Sequence, residues 1–342
     1  MQIFNWWSGR ETEARRLIHA FYRGFLRREP DPPGLEKHVT ALIGGRSAAD
    51  VAEEFLSSAE FKARDVKLFV PPGHHYSPIV NPAEASQHLD RLATRGPQFA
   101  LPGIEVDRDR MFEEWRTFLP FFATMPFDAS PKDGLRYGFD NPAYSWGDGS
   151  IVHAMLRRCR PKRLIEIGSG WSSACAIDTI ERFFETPCHV TFIEPYPELL
   201  DRLVGSTALN VRRLNIPVQQ TPIELFEELE AGDILFIDST HILRTGSDVC
   251  FELFEILPRL KPGVFVHFHD IFWPFEYPRN WAVDENRSWN ELYALRLMLT
   301  NSPHWRIVFF NDYFYKIAQR EIEATYPAFL NNPGGALWLE KR

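Results

Sequence analysis

The sequence predicts an α/β protein in which a doubly wound parallel sheet follows a small all-helical unit. Three observations carry that reading. An apolar run, Arg163–Ile167, opens into Gly168-Ser169-Gly170, and a second apolar run, HVTFI, closes on an acidic residue, Glu194. Strand-like and helix-like segments then alternate as far as Asp270, which places any ligand at the carboxyl ends of the strands. At 342 residues and 44% hydrophobic content the chain allows about two domains with a sizeable core.

Taken in order, apolar residues recur three and four apart at Leu17, Ile18, Phe21, Tyr22 and Phe25, up to the break REPDPPGL. A second helix is expected at Leu35–Ile43 and a third, capped by Ser47, reaches Phe55 and beyond. The aromatic cluster at Ile3–Trp7 is expected to pack on the first helix. The segments FYRGFLRREPDPPGLEKHV and FLSSAEF resemble a small bacterial domain of unknown function with an Arg-x-Pro-Asp-x-x-Gly-Leu turn. Residues 1–70 are therefore read as a helical module and 71–134 as a linker and helical lead-in; 135–342 are read as the sheet domain. Within the lead-in, Pro71–Pro82 is proline-rich with His74 and His75 solvated, and helices are expected near Ala83–Thr94 and Arg108–Phe118.

Tyr137, Tyr144, Trp146 and Asp148 crowd a turn-rich stretch just before the first strand. After it, Gly168 and Gly170 are expected to turn at positive φ and let a ligand approach, with Ser172 and Ser173 capping a helix, Ser173–Phe184. A helix at Leu199–Val204 and a third strand in IPVQQT (216–221) follow. The fourth strand ends at Asp238, with His241 three residues on. A helix at Gly246–Leu260 stops before KPG, and the fifth strand, GVFVHFHD, puts Phe265, His267 and His269 on one face with Asp270 at its mouth. The aromatic loop 272–281 is long enough to act as a lid. A helix in SWNELYALRLML and strands in WRIVFF and GALWLEKR complete the chain. His267, inside its strand, reads as a core histidine satisfied by backbone, and Asp248 as a support for its helix start.

A dinucleotide fingerprint needs Gly or Ala where this chain has Ser173. With Glu166 at the strand end, the loop instead resembles motif I of the class I S-adenosylmethionine (SAM)-dependent methyltransferases, over roughly Tyr137–Arg342. The resemblance implies a Rossmann-like, seven-stranded sheet and SAM as cofactor. It places Glu166, Gly168, Ser169, Gly170 and Ser172 at the methionine part, with Tyr144 and Asp238 also in contact. Glu194 offers two acceptor oxygens to the ribose hydroxyls. Asp238-x-x-His241 with His269-Asp270 further resembles the metal-dependent sugar O-methyltransferases of macrolide biosynthesis, of the macrocin and mycinamicin type, and the cephalosporin-modifying hydroxylase-like proteins. That implies Asp238 and Asp270 as metal ligands and His241 as general base. His269 stands where those sugar enzymes carry a carboxylate. Counted as a ligand with Asp238 and Asp270, its imidazole suits manganese, iron, cobalt or zinc better than magnesium. The alternative is a metal-free site in which His241 or His269 deprotonates the acceptor and an aspartate orients the ring.

A net charge of −8 and a pI near 5.8 argue against a nucleic-acid partner. Cys159, Cys175, Cys188 and Cys250 show neither zinc-ligand spacing nor disulfide density and read as reduced thiols. No apolar run reaches membrane-spanning length and the N-terminal one is too short for a signal peptide, which points to the cytoplasm. The expected function is methyl transfer to a hydroxyl of a small-molecule or glycan acceptor in bacterial glycan assembly. The alternatives are an N-methyltransferase or a non-catalytic glycan-assembly scaffold on a relic cofactor domain; a nicotinamide dehydrogenase is disfavoured by Ser173. The helical module is a candidate surface for homo-oligomers or an assembly partner.

Overall fold

The computed structural model describes residues 2–64, 69–96 and 99–342, with only the backbone of residues 2–8 and 63–64. The expected packing of the Ile3–Trp7 side chains lies outside the described residues. The chain divides into two compact units, Met1–Ser77 and Pro78–Arg342.

The first unit is helical. α1 (Gln2–Phe21) runs on as a wider π turn over Tyr22–Leu26, followed by α2 (Pro32–Ile43), α3 (Ala48–Ser57) and α4 (Ala59–Arg64). Ile18, Tyr22 and Leu26, four apart on one face, bury against Val39, Val51 and Phe55. Asp31 caps α2 by accepting from the Gly34 N–H at 3.0 Å, and Ser47 and Asp50 form a reciprocal capping box on α3.

The second unit begins well before residue 135. α5 (Pro82–Ala93) and α6 (Arg108–Phe122) belong to it, and α6 sinks Trp115, Phe118 and Phe122 into the main core, so residues 78–134 contribute to the domain they were expected only to lead into. α7 (Trp146–Cys159) precedes β1 (Arg163–Ile167); then come α8 (Trp171–Phe183), β2 (His189–Ile193), α9 (Glu198–Val204), β3 (Val211–Leu214), α10 (Glu224–Glu227) and β4 (Ile234–Ile237). A helix of three registers, α11 (Asp248–Phe251), a π turn at Glu252–Ile256 and α12 (Leu257–Arg259), leads to β5 (Phe265–Phe268). α13 (Glu291–Leu299), β6 (Trp305–Phe310), α14 (Asn311–Ile317), α15 (Gln319–Thr325) and β7 (Leu337–Lys341) finish the chain.

The seven strands lie in the order β3-β2-β1-β4-β5-β7-β6, all parallel except β7, which runs antiparallel between β5 and β6. Strand order reverses between β1 and β4, which opens a crevice beyond their carboxyl ends. β1, β2, β4 and β5 are buried on both faces, so their sequences read as continuous apolar runs. β3 does not: it carries Arg212 and Arg213 at the sheet edge and lies ahead of IPVQQT, the stretch expected to be the third strand. That stretch forms a short turn at Val218–Gln220 because Pro217 cannot donate to a ladder. No helix among the described residues is long and apolar enough to cross a membrane.

Candidate active site

The sheet's hydrogen bonds continue one residue past the strands and fix the backbone of the site. Gly168 N–H donates to Ile193 O at 3.1 Å, Asp238 N–H to Ile167 O at 2.9 Å, and His269 N–H to Ile237 O at 3.0 Å. Two clefts open above this line, and both are lined by Asp238.

The first cleft, about 350 Å³, lies over β1, β2, β3 and β4 and is lined by Gly168, Glu194, Tyr196, Val218, Asp238 and Asp248 among others. Gly168 has φ +74°, and a Cβ there would lie 1.8 Å from the carbonyl oxygen of Asp238, so only glycine fits where the two loops cross. Gly170 departs from the expected positive φ; it is extended at −177°, and a side chain there would meet Leu199. The helix also starts two residues early, at Trp171, so Ser173 caps it from the third position while Ser172 turns to Glu166. Ser172 Oγ donates to Glu166 Oε1 at 2.5 Å, and Ser173 Oγ accepts from the Gly170 N–H at 2.9 Å. Burial pushes the Glu166 carboxyl up to about 8, against the opposing hydrogen bonds of Ser172 and Ser173. Glu194 accepts from the N–H groups of Ser169 at 3.1 Å and Tyr196 at 2.8 Å, which leaves each oxygen a further lone pair at the cleft. Asp248 accepts from both the N–H and the hydroxyl of Thr240, tying the loop after β4 to the start of α11.

The second cleft, about 360 Å³, is lined by Asp148, Asp238, His269, Asp270, Trp281 and Arg287 among others. Its floor is a buried cluster of imidazoles and carboxylates. His269 Nε2 lies 3.2 Å from Asp148 Oδ2, and its Nδ1 lies 3.3 Å from Asp238 Oδ1 and 3.5 Å from Asp270 Oδ1. His241 Nδ1 is held by Glu291 Oε2 at 2.8 Å, while its Nε2 faces Asp238 Oδ1 and Asp270 Oδ2, each at 3.5 Å. His241 and Asp270 take left-handed backbone angles, φ +60° and +58°, a cost of about 1–3 kcal/mol each that the surrounding packing sustains. Asp148 also accepts from Asn311 Nδ2 and from the Ala336 N–H, and a Cβ on Gly334 would overlap its carboxylate.

Burial works against charge throughout this cluster, and the neighbours decide the outcome. It would lower His241, yet the hydrogen bonds to Asp238 and Glu291 outweigh it and push the imidazole up to about 10. His269 is likewise buried and is held well above the usual histidine range by Asp270, Asp238 and Asp148. Burial opposes ionisation of Asp238, but His269 and His241 hold it well below the carboxylate range. Burial raises Asp148, Asp270 and Glu291.

Ligand atoms of Asp238, His241 and Asp270 lie within 4.8 Å of one another. The grouping the structure makes thus contains His241 where the sequence reading placed His269, which instead spends both ring nitrogens on aspartates. Tyr144 is fully buried beneath the cluster, its hydroxyl 3.3 Å from His267 Nε2, and does not line either cleft. His267 Nε2 meets that tyrosine hydroxyl, and its ring stacks on Phe236 at 3.8 Å. Sequence reasoning missed Glu291 and the Asn332–Gly335 loop. Glu291 lies 50 residues from the histidine it holds and shows locally only as an acidic first-turn residue of α13. The loop docks on α7, where Asn332 O accepts from the Gly147 N–H at 2.7 Å.

Comparison with known proteins bears on the same region. Residues 165–271 match a family described as a methyltransferase domain, and residues 2–64 match a domain of unknown function. An uncharacterized protein of Archaeoglobus fulgidus is 28% identical over 173 residues, 50% of this chain and 78% of its own. Among solved structures, the O-methyltransferase TomG of Streptomyces achromogenes, in complex with SAM, is 11% identical. It covers 70% of this chain and 91% of its own, at a TM-score of 0.35. An O-methyltransferase of Bacillus cereus with bound S-adenosylhomocysteine (SAH) is 11% identical over 75% and 97%, at 0.37. The fold itself rests on the strand order and not on those likenesses. Residues 165–271 thus carry the match to a methyltransferase domain, and that match supports a methyltransferase activity.

Proposed function

We propose that the protein transfers a methyl group from SAM to a hydroxyl of a sugar or glycosylated small molecule, in bacterial glycan assembly. The observation that carries this reading is the pair of clefts that share Asp238 as a common wall. Methyl transfer needs a donor carbon and an acceptor oxygen brought into line, with a group to take the proton, and two clefts meeting at one carboxylate supply that arrangement.

On the donor side, the Gly168 loop allows close backbone approach and Glu194 has lone pairs for two ribose hydroxyls. SAM supplies a methyl group on a cationic sulfonium, whose charge the carboxylates around Asp238 favour. On the acceptor side, the acceptor hydroxyl takes the place of Asp238 at His269 Nδ1 and gives up its proton there, while Asp148 at Nε2 orients the ring and holds the imidazolium that forms. The same carboxylates keep His269 protonated at rest, so it becomes a base only when further positive charge enters the cluster.

The chemistry of Asp238, His241 and Asp270 also fits a divalent ion. Two carboxylates and an imidazole converge, and the far ring nitrogen of that imidazole is fixed by Glu291, the arrangement that orients metal-bound histidines. An ion of the manganese or magnesium kind held there would make the acceptor hydroxyl more acidic.

Calorimetry with SAH, with and without manganese, tests the reading on wild type, Glu194→Ala and Asp270→Ala. SAH binding lost in Glu194→Ala and manganese binding lost in Asp270→Ala are expected. Wild-type protein that binds no SAH under either condition would overturn the proposal.

A further inference from the structure

Two more cavities flank α5. One of about 420 Å³ lies between α5 and the segment after β5, lined by Leu89, Leu92, Ala93, Trp273, Pro274 and Tyr277 among others. It shares Phe272 and Pro278 with the second cleft. A smaller one, about 240 Å³, shares Leu89 and Tyr277 with the first, and Trp281 and Arg287 with the second cleft. The reaction centre therefore has walls in common with both spaces beneath one helix. α5 buries none of its own residues and is fastened to the loop mainly by polar contacts, among them Arg279 with Ser86 and Asp90, and His88 with Glu276.

The polar groups around the larger cavity are spent on one another. Asp312 accepts from the Trp273 N–H at 2.7 Å and pairs with Lys316, which donates to Trp273 O at 2.7 Å. Glu276 is bound by His88 and by the Tyr293 hydroxyl, each at 2.8 Å. One group is left over. Tyr277 is 5% exposed and lines both cavities, and among the described residues its phenolic proton has no acceptor. The nearby N–H of Leu292 is itself a donor, so it offers nothing to the phenolic proton. A buried phenolic proton without an acceptor is destabilising, and a ligand oxygen there would relieve it.

We propose that the space beneath α5 receives the apolar aglycone of a glycoside acceptor, with an oxygen at its polar end accepting from Tyr277. The size suits a small-molecule fragment: ligand pockets run from roughly 300 Å³ upward, while a helix with side chains is about 10 Å across and would not fit. The aromatic and aliphatic walls select apolar matter. The cavity adjoins the second cleft at Phe272 and Pro278, so an apolar group in one and a sugar in the other can belong to one ligand. The identity of the attached sugar rests on the function proposed above; the apolar site does not.

The test is displacement of the fluorophore N-phenyl-1-naphthylamine from the full chain by n-octyl glucoside, set against methyl glucoside. Octyl glucoside should displace the probe and methyl glucoside should not. Ala93→Trp, which places a ring in the cavity from an exposed position on α5, should weaken the probe and the octyl glycoside about tenfold. Leu297→Trp, on an exposed face of α13, should leave both unchanged. Tyr277→Phe should weaken octyl glucoside and spare the probe. Binding undiminished by Ala93→Trp, or equal displacement by the two glycosides, would overturn the inference. SAH calorimetry on Ala93→Trp separates the two readings. Loss of SAH binding in wild type with octyl displacement intact would end the donor assignment and leave the apolar site standing.

Discussion

The groove on the Glu194 side of Asp238 is made from the loops after four neighbouring strands, whereas the cleft on the other side gathers its lining from segments as far apart as Pro142 and Gly335. The first is largely a backbone construction: one glycine forced by a 1.8 Å approach, and a carboxylate tied to two N–H groups. The second is a side-chain construction in which two imidazoles are suspended among Asp148, Asp238, Asp270 and Glu291. A backbone site fails sharply when its geometry is changed. A charge cluster shifts its protonation and its ligand affinity while the fold persists.

The sharpest way to break the donor side is Gly168→Ala. Left-handed strain together with overlap on Asp238 O should cost about 3 kcal/mol or more and abolish SAH binding, read by urea unfolding and calorimetry. On the acceptor side, Glu291→Gln should lower manganese affinity about 10–100-fold by removing the charge behind His241 Nδ1. SAH binding to metal-free protein should stay at the wild-type value, and a parallel loss of both would erase the distinction between the two clefts.

The pH dependence of stability sharpens the comparison further. The Glu166 carboxyl is raised from 4.5 to about 8 in the folded protein, so the fold holds a proton that the unfolded chain has already released. Its contribution is greatest below 4.5 and is lost as pH rises through about 8. Urea midpoints of Glu166→Gln should therefore fall less steeply than wild type across that range. The smallest change is expected for Tyr144→Phe, about 1 kcal/mol or less, since its hydroxyl makes one long contact to His267 and sits beneath the cluster. A large drop in SAH affinity in that variant would move Tyr144 to the donor side.

Legibility followed the same division. β1, β2, β4 and β5 were readable because burial on both faces demands an unbroken apolar run. β3 was misplaced because an edge strand with Arg212 and Arg213 needs no such run, while IPVQQT has one without the donor a ladder requires. Asp238, His269 and Asp270 were visible as polar residues at strand ends. Their partners were not: Asp148 reaches His269 across 121 positions and Glu291 reaches His241 across 50.

By itself, the sequence determined the parallel α/β sheet, the helical unit before it, the glycine loop and the acidic strand ends, because periodicity and turn chemistry act between near neighbours. Tertiary structure alone decided which histidine joins Asp238 and Asp270, which carboxylates hold each ring, and that α5 spans two cavities beside the site. Those outcomes depend on distances between segments far apart in the chain, and the burial that shifts a proton or empties a cavity exists only once the segments have packed.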